Sequence, residues 1–166
     1  GREMSSLIIE NANLFIGVDE EVIANGAVWV SDGVIKFSGA VSDLPAGGEN
    51  IERYDALGKF VMPGMTESHV HLSYNNSHPQ QLNSEPLPIA MLDAVDNARI
   101  LLGSGFTSAI SFGSAQGLDV PLRDAINAGR IPGPRLAASD RDLGSTGSNA
   151  DGTFGGDSSK KIIADG

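Results

Sequence analysis

The sequence predicts an α/β chain in two parts, and three observations carry that reading. Residues 6 to about 62 are short apolar runs punctuated by turn signals, the pattern of β-strands. After Pro63 the apolar residues shift to helical spacing. Strand-like and helix-like segments then alternate as β-α-β-α-β, which predicts a parallel sheet with right-handed crossovers. The expected parts are 1–62, an all-β segment belonging to a small sandwich or half-barrel, and 63–166, the α/β series.

The elements follow in order. SLIIENANLFIG is the first strand. GAVWVSDGVIKFSGA is a hairpin around Ser31-Asp32-Gly33, because Asp-Gly between apolar runs admits the positive φ of a tight turn. Trp29 in its first arm packs in the sandwich or makes a subunit contact. LPAGGEN is a loop, and IERYDALGKFVMPG holds two short extended pieces, broken at Gly58 and stopped by Pro63-Gly64. MTESHVHL is the next strand. Met91, Ala94, Val95, Ala98, Leu101 and Leu102 then share a helical face, with Gly103 as the C-cap. Thr107 to Phe112 reads as a buried strand. Asp119 caps a short helix that tolerates Pro121 in its first turn, faces inward through Leu122, Ala125 and Ile126, and ends at Gly129. Arg135 to Ala138 is the third strand. The polar, Gly/Ser/Asp-rich text from Ser139 to Ser159 is either a solvated connection or a loop over an active site.

Composition narrows the function. The formal net charge of -10 over 166 residues repels phosphate backbones, which argues against a nucleic-acid partner. The absence of cysteine excludes disulfides and thiolate ligands and fits a cytoplasmic setting. No apolar run approaches the roughly 18 residues of a transmembrane helix, so no membrane partner is expected. The opening GREM lacks the apolar centre of a signal peptide.

The chemistry concentrates in PGMTESHVHL. Side chains two apart on a strand point to one face, so His69 and His71 project together, and Glu67 with them. Two neutral imidazoles a strand period apart can both reach one divalent ion of the zinc class. The pair follows a Pro-Gly turn and lies at the far end of its strand, the end on which catalytic groups of a (β/α)8 barrel lie.

These residues carry a family resemblance. LGKFVMPGMTESHVHL resembles the first barrel strand of the amidohydrolase superfamily, with its His-x-His after a Pro-Gly turn. GSGFTSAISFG is similar to that family's second strand, and AINAGRIPGPRLAAS to its third strand and the turn before it. The branch it looks most like is that of the imidazolonepropionases and Xaa-Pro dipeptidase-like hydrolases. The resemblance implies a (β/α)8 TIM barrel, of which this chain holds the first three strands, with a small N-terminal β-sandwich. It makes His69 and His71 ligands of the more buried of one or two zinc ions. The remaining ligands and a general-base aspartate belong to later strands, so no catalytic residue is expected within the chain.

Departures from the family pattern are Glu67 for an aspartate, Ile110-Ser111 for Arg-Asp, and Thr146-Gly147-Ser148-Asn149 where the branch has Gly-Gly-His. Tyr74 and Asn75, with Asn76, line the substrate pocket or cap the loop after the ligands. His78 reads as a surface histidine with a substrate contact as the alternative, and Glu67 as structural. Lys160 and Lys161 read as solvated, and Asp140 and Asp142 as local partners of Arg141.

The expected activity is metal-dependent hydrolysis of an amide-type C–N bond in a small molecule: a dipeptide, an N-acyl amino acid, a cyclic amide or an aryl amide. The alternatives are deamination of a ring amine and a non-catalytic binding module. A barrel of eight units takes about 250 residues, and roughly a hundred follow Pro63. The chain is therefore expected to be an incomplete folding unit whose remaining strands come from a second polypeptide or a missing segment. A homo-oligomer is the expected assembly.

Overall fold

The structure, a computed structural model, describes residues 6–77, 84–140, 143–144 and 162–163. His78, Arg141, Asp142, Thr146 to Asn149, Lys160 and Lys161 lie outside the described residues. The chain divides into two compact units, Gly1–Pro63 and Gly64–Gly166.

In the first unit, β1 (Ser6–Phe15), β2 (Val22–Ser31) and β3 (Val34–Ala40) form an antiparallel meander. The β2–β3 turn is the expected one: Asp32 and Gly33 both take positive φ, 55° and 76°. β4 (Glu52–Asp55) and β5 (Phe60–Val61) run parallel to β1 on its other side, one after the other. Between them the chain detours outward at Leu57-Gly58, and Asn11 and Asn13 bridge the gap through side-chain bonds to Asp55 and the Gly58 carbonyl. An Arg53–Glu10 ion pair ties β4 to β1. Ile8, Ala12, Leu14 and Ala27 form the buried side. Trp29 stands opposite Ile8 and Phe37, with its indole N–H buried and without a hydrogen-bond partner among the described residues. The described residues of this unit form one sheet, a single layer; the sequence reading makes the segment part of a small sandwich or half-barrel.

The second unit is mixed α/β with parallel strands. β6 (Met65–Val70), β7 (Phe106–Ser111) and β8 (Arg135–Ala137) lie side by side in that order. α1 (Leu87–Gly103) and α2 (Asp119–Asn127) make the crossovers. Gly64 is required at the entry: a Cβ there would sit 2.0 Å from the Thr107 hydroxyl of β7. α1 begins with Pro88 in its first turn and lies on the sheet through Ala90, Ala94 and Ala98. This stripe of small residues lets the helix approach closely, while Met91, Val95, Leu101 and Leu102 are only half-buried. Leu72, Ala109, Leu122 and Leu136 complete the core. β9 (Leu143–Gly144) and β10 (Ile162–Ile163) form a short parallel pair bracketing most of the polar segment. No helix among the described residues is long and apolar enough to cross a membrane.

Four expectations change. β6 stops at Val70, so His71 is the first residue beyond the strand. Gly103 is the last helical residue of α1; Ser104 is the cap and Gly105, at φ 93°, makes the left-handed turn. β7 is buried on one side only, because the helices cover that side while Ile110 faces away, and Phe112 beyond the strand is exposed as well. Asp119 does not cap α2, since its carboxylate turns to the neighbouring strand ends.

Candidate metal centre

The two histidines meet at the C-terminal end of the parallel sheet. His69 lies in β6, and His71 opens the turn that closes with the Tyr74 N–H on the His71 carbonyl at 2.9 Å. The Phe112 N–H bonds the Val70 carbonyl at 3.1 Å and holds the strand end against the end of β7. The rings converge, with His69 Nε2 and His71 Nε2 3.2 Å apart. Two nitrogens bound at roughly 2.05 Å to one tetrahedral ion stand about 3.3 Å apart, so the spacing fits a shared zinc-class ion.

The tautomer of His71 follows from its surroundings. Its Nδ1 faces the Gly113 carbonyl at 3.0 Å, and a carbonyl only accepts, so Nδ1 carries the proton. The Nε2 of neutral His71 therefore holds a lone pair aimed at His69. This is the backing that metal-ligating histidines use to fix ring orientation and raise basicity. Aromatic faces hold both rings. His69 stacks on Phe112 at 4.5 Å and an interplanar angle of 5°, and His71 on Tyr74 at 4.7 Å and 13°. His71 is half-buried and His69 exposed.

Glu67 is not part of this arrangement: its carboxylate folds back to accept the His69 N–H at 3.2 Å, the structural role expected of it. Among the described residues no third His, Cys, Asp or Glu joins the pair to make a ligand set. Asn75 uses its amide within the protein, donating to Asp93 of α1 at 2.8 Å and accepting the Ser77 N–H at 2.9 Å. That geometry favours the loop-capping alternative for Asn75, while Tyr74 lies against the site.

The sequence reading passed over Asn97. Its side-chain amide reaches from α1 to the carbonyls of Leu72 and Tyr74, each at 2.8 Å, and fixes the turn that carries His71. A signal was present: Asn97 lies three residues from Ala94 and seven from Ala90, a polar residue on the buried helix face that needs a partner there. The Gly113 carbonyl was also missed, and no side-chain pattern marks it.

Known proteins share this arrangement of strands. An amidohydrolase crystal structure superposes on 89% of this chain with a TM-score of 0.78 and 28% identity, covering 34% of that protein. Ochratoxinase of Aspergillus niger is 28% identical over 150 residues, 84% of this chain and 29% of the relative. Imidazolonepropionase of a Bradyrhizobium species is 38% identical over 60 residues, 36% of this chain and 15% of the relative. The chain belongs to the amidohydrolase superfamily. No protein-family model matches it. It spans less than a third of the length of these curated amidohydrolase-superfamily relatives.

Proposed function

We propose that the chain carries the first metal-binding strand of a hydrolase that cleaves an amide-type C–N bond of a small molecule. The observation that carries this reading is the convergence of two imidazole Nε2 atoms at 3.2 Å, one of them held as a lone pair by the Gly113 carbonyl behind it. The relatives' names, ochratoxinase and imidazolonepropionase, belong to hydrolases of C–N bonds and support the same chemistry.

His69 and His71 would hold the ion, zinc being the best match to a nitrogen donor pair without thiolates. Such an ion supplies Lewis acidity toward a carbonyl and lowers the pKa of water toward neutrality. Both ring lone pairs are then engaged, so neither histidine transfers a proton. The general base is an aspartate of the barrel outside this chain. Phe112 and Tyr74 wall the pair on two sides and limit where a substrate carbonyl approaches.

The three-stranded sheet is, in this reading, the opening of a (β/α)8 barrel, and the N-terminal sheet one layer of a β-sandwich. Ile110 and Phe112 lie uncovered on the side of the parallel sheet opposite its helices or at its end, and β6 and β8 each leave an edge unpaired among the described residues. Further strands, from the same polypeptide or a second one, cover that surface. The test is hydrolysis of N-acyl amino acids and Xaa-Pro dipeptides by the zinc-loaded full-length protein. His69→Ala with His71→Ala should lower kcat/KM on the order of 1,000-fold or more. Undiminished turnover by the double variant would refute the reading.

A further inference from the structure

All four buried polar residues among the described residues, Ser73, Ser111, Ser114 and Asp119, lie in the second unit. Asp119 is a carboxylate only 1% exposed, on a helix next to the proposed metal centre. A buried charge needs hydrogen bonds, and Asp119 has them from two directions. Its Oδ1 accepts the Ser114 hydroxyl at 3.0 Å, its Oδ2 accepts the Ser139 N–H at 3.1 Å, and its own N–H donates to Ser114 Oγ at 2.9 Å. One side chain thus clamps the segment leaving β7 to the segment leaving β8.

The clamp leads to His71 through a single peptide unit. The Ser114 N–H donates to the Asp140 carbonyl at 3.3 Å, while the Gly113 carbonyl accepts from His71 Nδ1. These two groups belong to one planar peptide, so fixing one end fixes the other. The Ser111 hydroxyl adds a second bond to the Gly113 carbonyl at 3.3 Å. The backbone around the clamp is held in left-handed conformations: Gln116 at φ 59°, Gly117 at 73° and Asp140 at 70°. At Gly117 a Cβ would lie 2.2 Å from Asp140 Oδ1. Non-glycine residues remain in that region only where the surroundings over-determine them. A helix cap alone would not require any of this.

We propose that Asp119 is a positioning residue of the metal centre. Through Ser114 and Ser139 it sets the Gly113–Ser114 peptide, whose carbonyl holds His71 with Nδ1 protonated and Nε2 turned toward His69. The proposal rests on the metal function inferred above for the histidine pair.

The experiment uses the full-length protein and two readouts: zinc affinity by competition with a chromogenic chelator, and the His71 tautomer of the zinc-free protein from imidazole ¹⁵N shifts. Ser114→Ala and Asp119→Asn should each weaken zinc binding about 10- to 100-fold, the range for lost outer partners of a ligating histidine. Both should also convert part of His71 to the Nε2–H tautomer. Leu122→Ala, which opens the same core without touching the clamp, should lower the melting temperature and leave both readouts at wild-type values. Wild-type zinc affinity and tautomer in Ser114→Ala would overturn the proposal, even if Asp119→Asn fails to fold. Equal effects in Leu122→Ala would also overturn it, by reducing the clamp to general stability. Should zinc binding prove indifferent to His69 and His71, the metal reading fails, and the zinc-free tautomer still decides the role of Asp119.

Discussion

The N-terminal sheet and the exit end of the parallel sheet bury different things. Below the first lie Ile8, Ala12, Leu14, Ala27 and Ala56, with no polar residue buried among those described. At the second, Ser111, Ser114 and Asp119 are buried beside Leu72 and Ala109, and the backbone turns through Gly113, Gln116 and Gly117 at positive φ. Apolar packing is non-directional and tolerates small displacements. Hydrogen bonds to a buried carboxylate do not tolerate them, and leaving one unmade costs about 1–3 kcal/mol. The first region is built to be stable; the second gives up apolar burial to hold a few atoms in fixed places. In parallel α/β barrels the chemistry lies at the C-terminal ends of the strands, and it is at that end of this parallel sheet that the buried polar groups gather.

Three substitutions sharpen that contrast. The largest effect on stability is expected from Leu122→Ala, a loss of about 2–5 kcal/mol for a fully buried leucine. Chemical denaturation should record that loss, while zinc affinity of the folded fraction stays constant. Asn97→Ala comes next. It removes the two 2.8 Å bonds to the Leu72 and Tyr74 carbonyls and should cost about 1–3 kcal/mol. Because the freed turn carries His71, a chelator competition should also show weaker zinc binding, unlike Leu122→Ala. Phe112→Ala should be the mildest. An exposed phenylalanine contributes little to folding, but losing its stack on His69 removes about 0.5–1.5 kcal/mol of ring positioning, read as a few-fold drop in zinc affinity with an unchanged melting temperature. A Phe112→Ala protein that melts well below wild type with intact affinity would reverse the assignment of the two regions.

Much of the fold was legible because it rests on local rules. Asp32-Gly33 needs positive φ, Pro63-Gly64 stops a strand, and Ala94 and Ala98 fall on one helical face. The two histidines converge as their spacing of two suggests, but His71 is the first residue past β6, and the turn closed by Tyr74 together with the Gly113 carbonyl sets its ring. The sequence misled where a local rule competed with a distant partner. Gly103 looked like a helix cap, yet Gly105 makes the turn that brings its carbonyl to the Met65 N–H. Asp119 stood where capping residues stand, but Ser114 and Ser139 claim its oxygens from outside the helix. Ile110 read as buried because its segment is apolar, and the described residues cover only the opposite side of the sheet. The Gly113 carbonyl could not have been found at all, since every residue has one.

The measurement that bears most directly on the histidine pair is anomalous diffraction at the zinc edge from crystals of the zinc-loaded full-length protein. The expected result is a peak at roughly 2.0–2.1 Å from both His69 Nε2 and His71 Nε2, with the His71 Nδ1 still on the Gly113 carbonyl. A peak bound to neither ring, or two rings turned apart with the Gly113 bond broken, would contradict it.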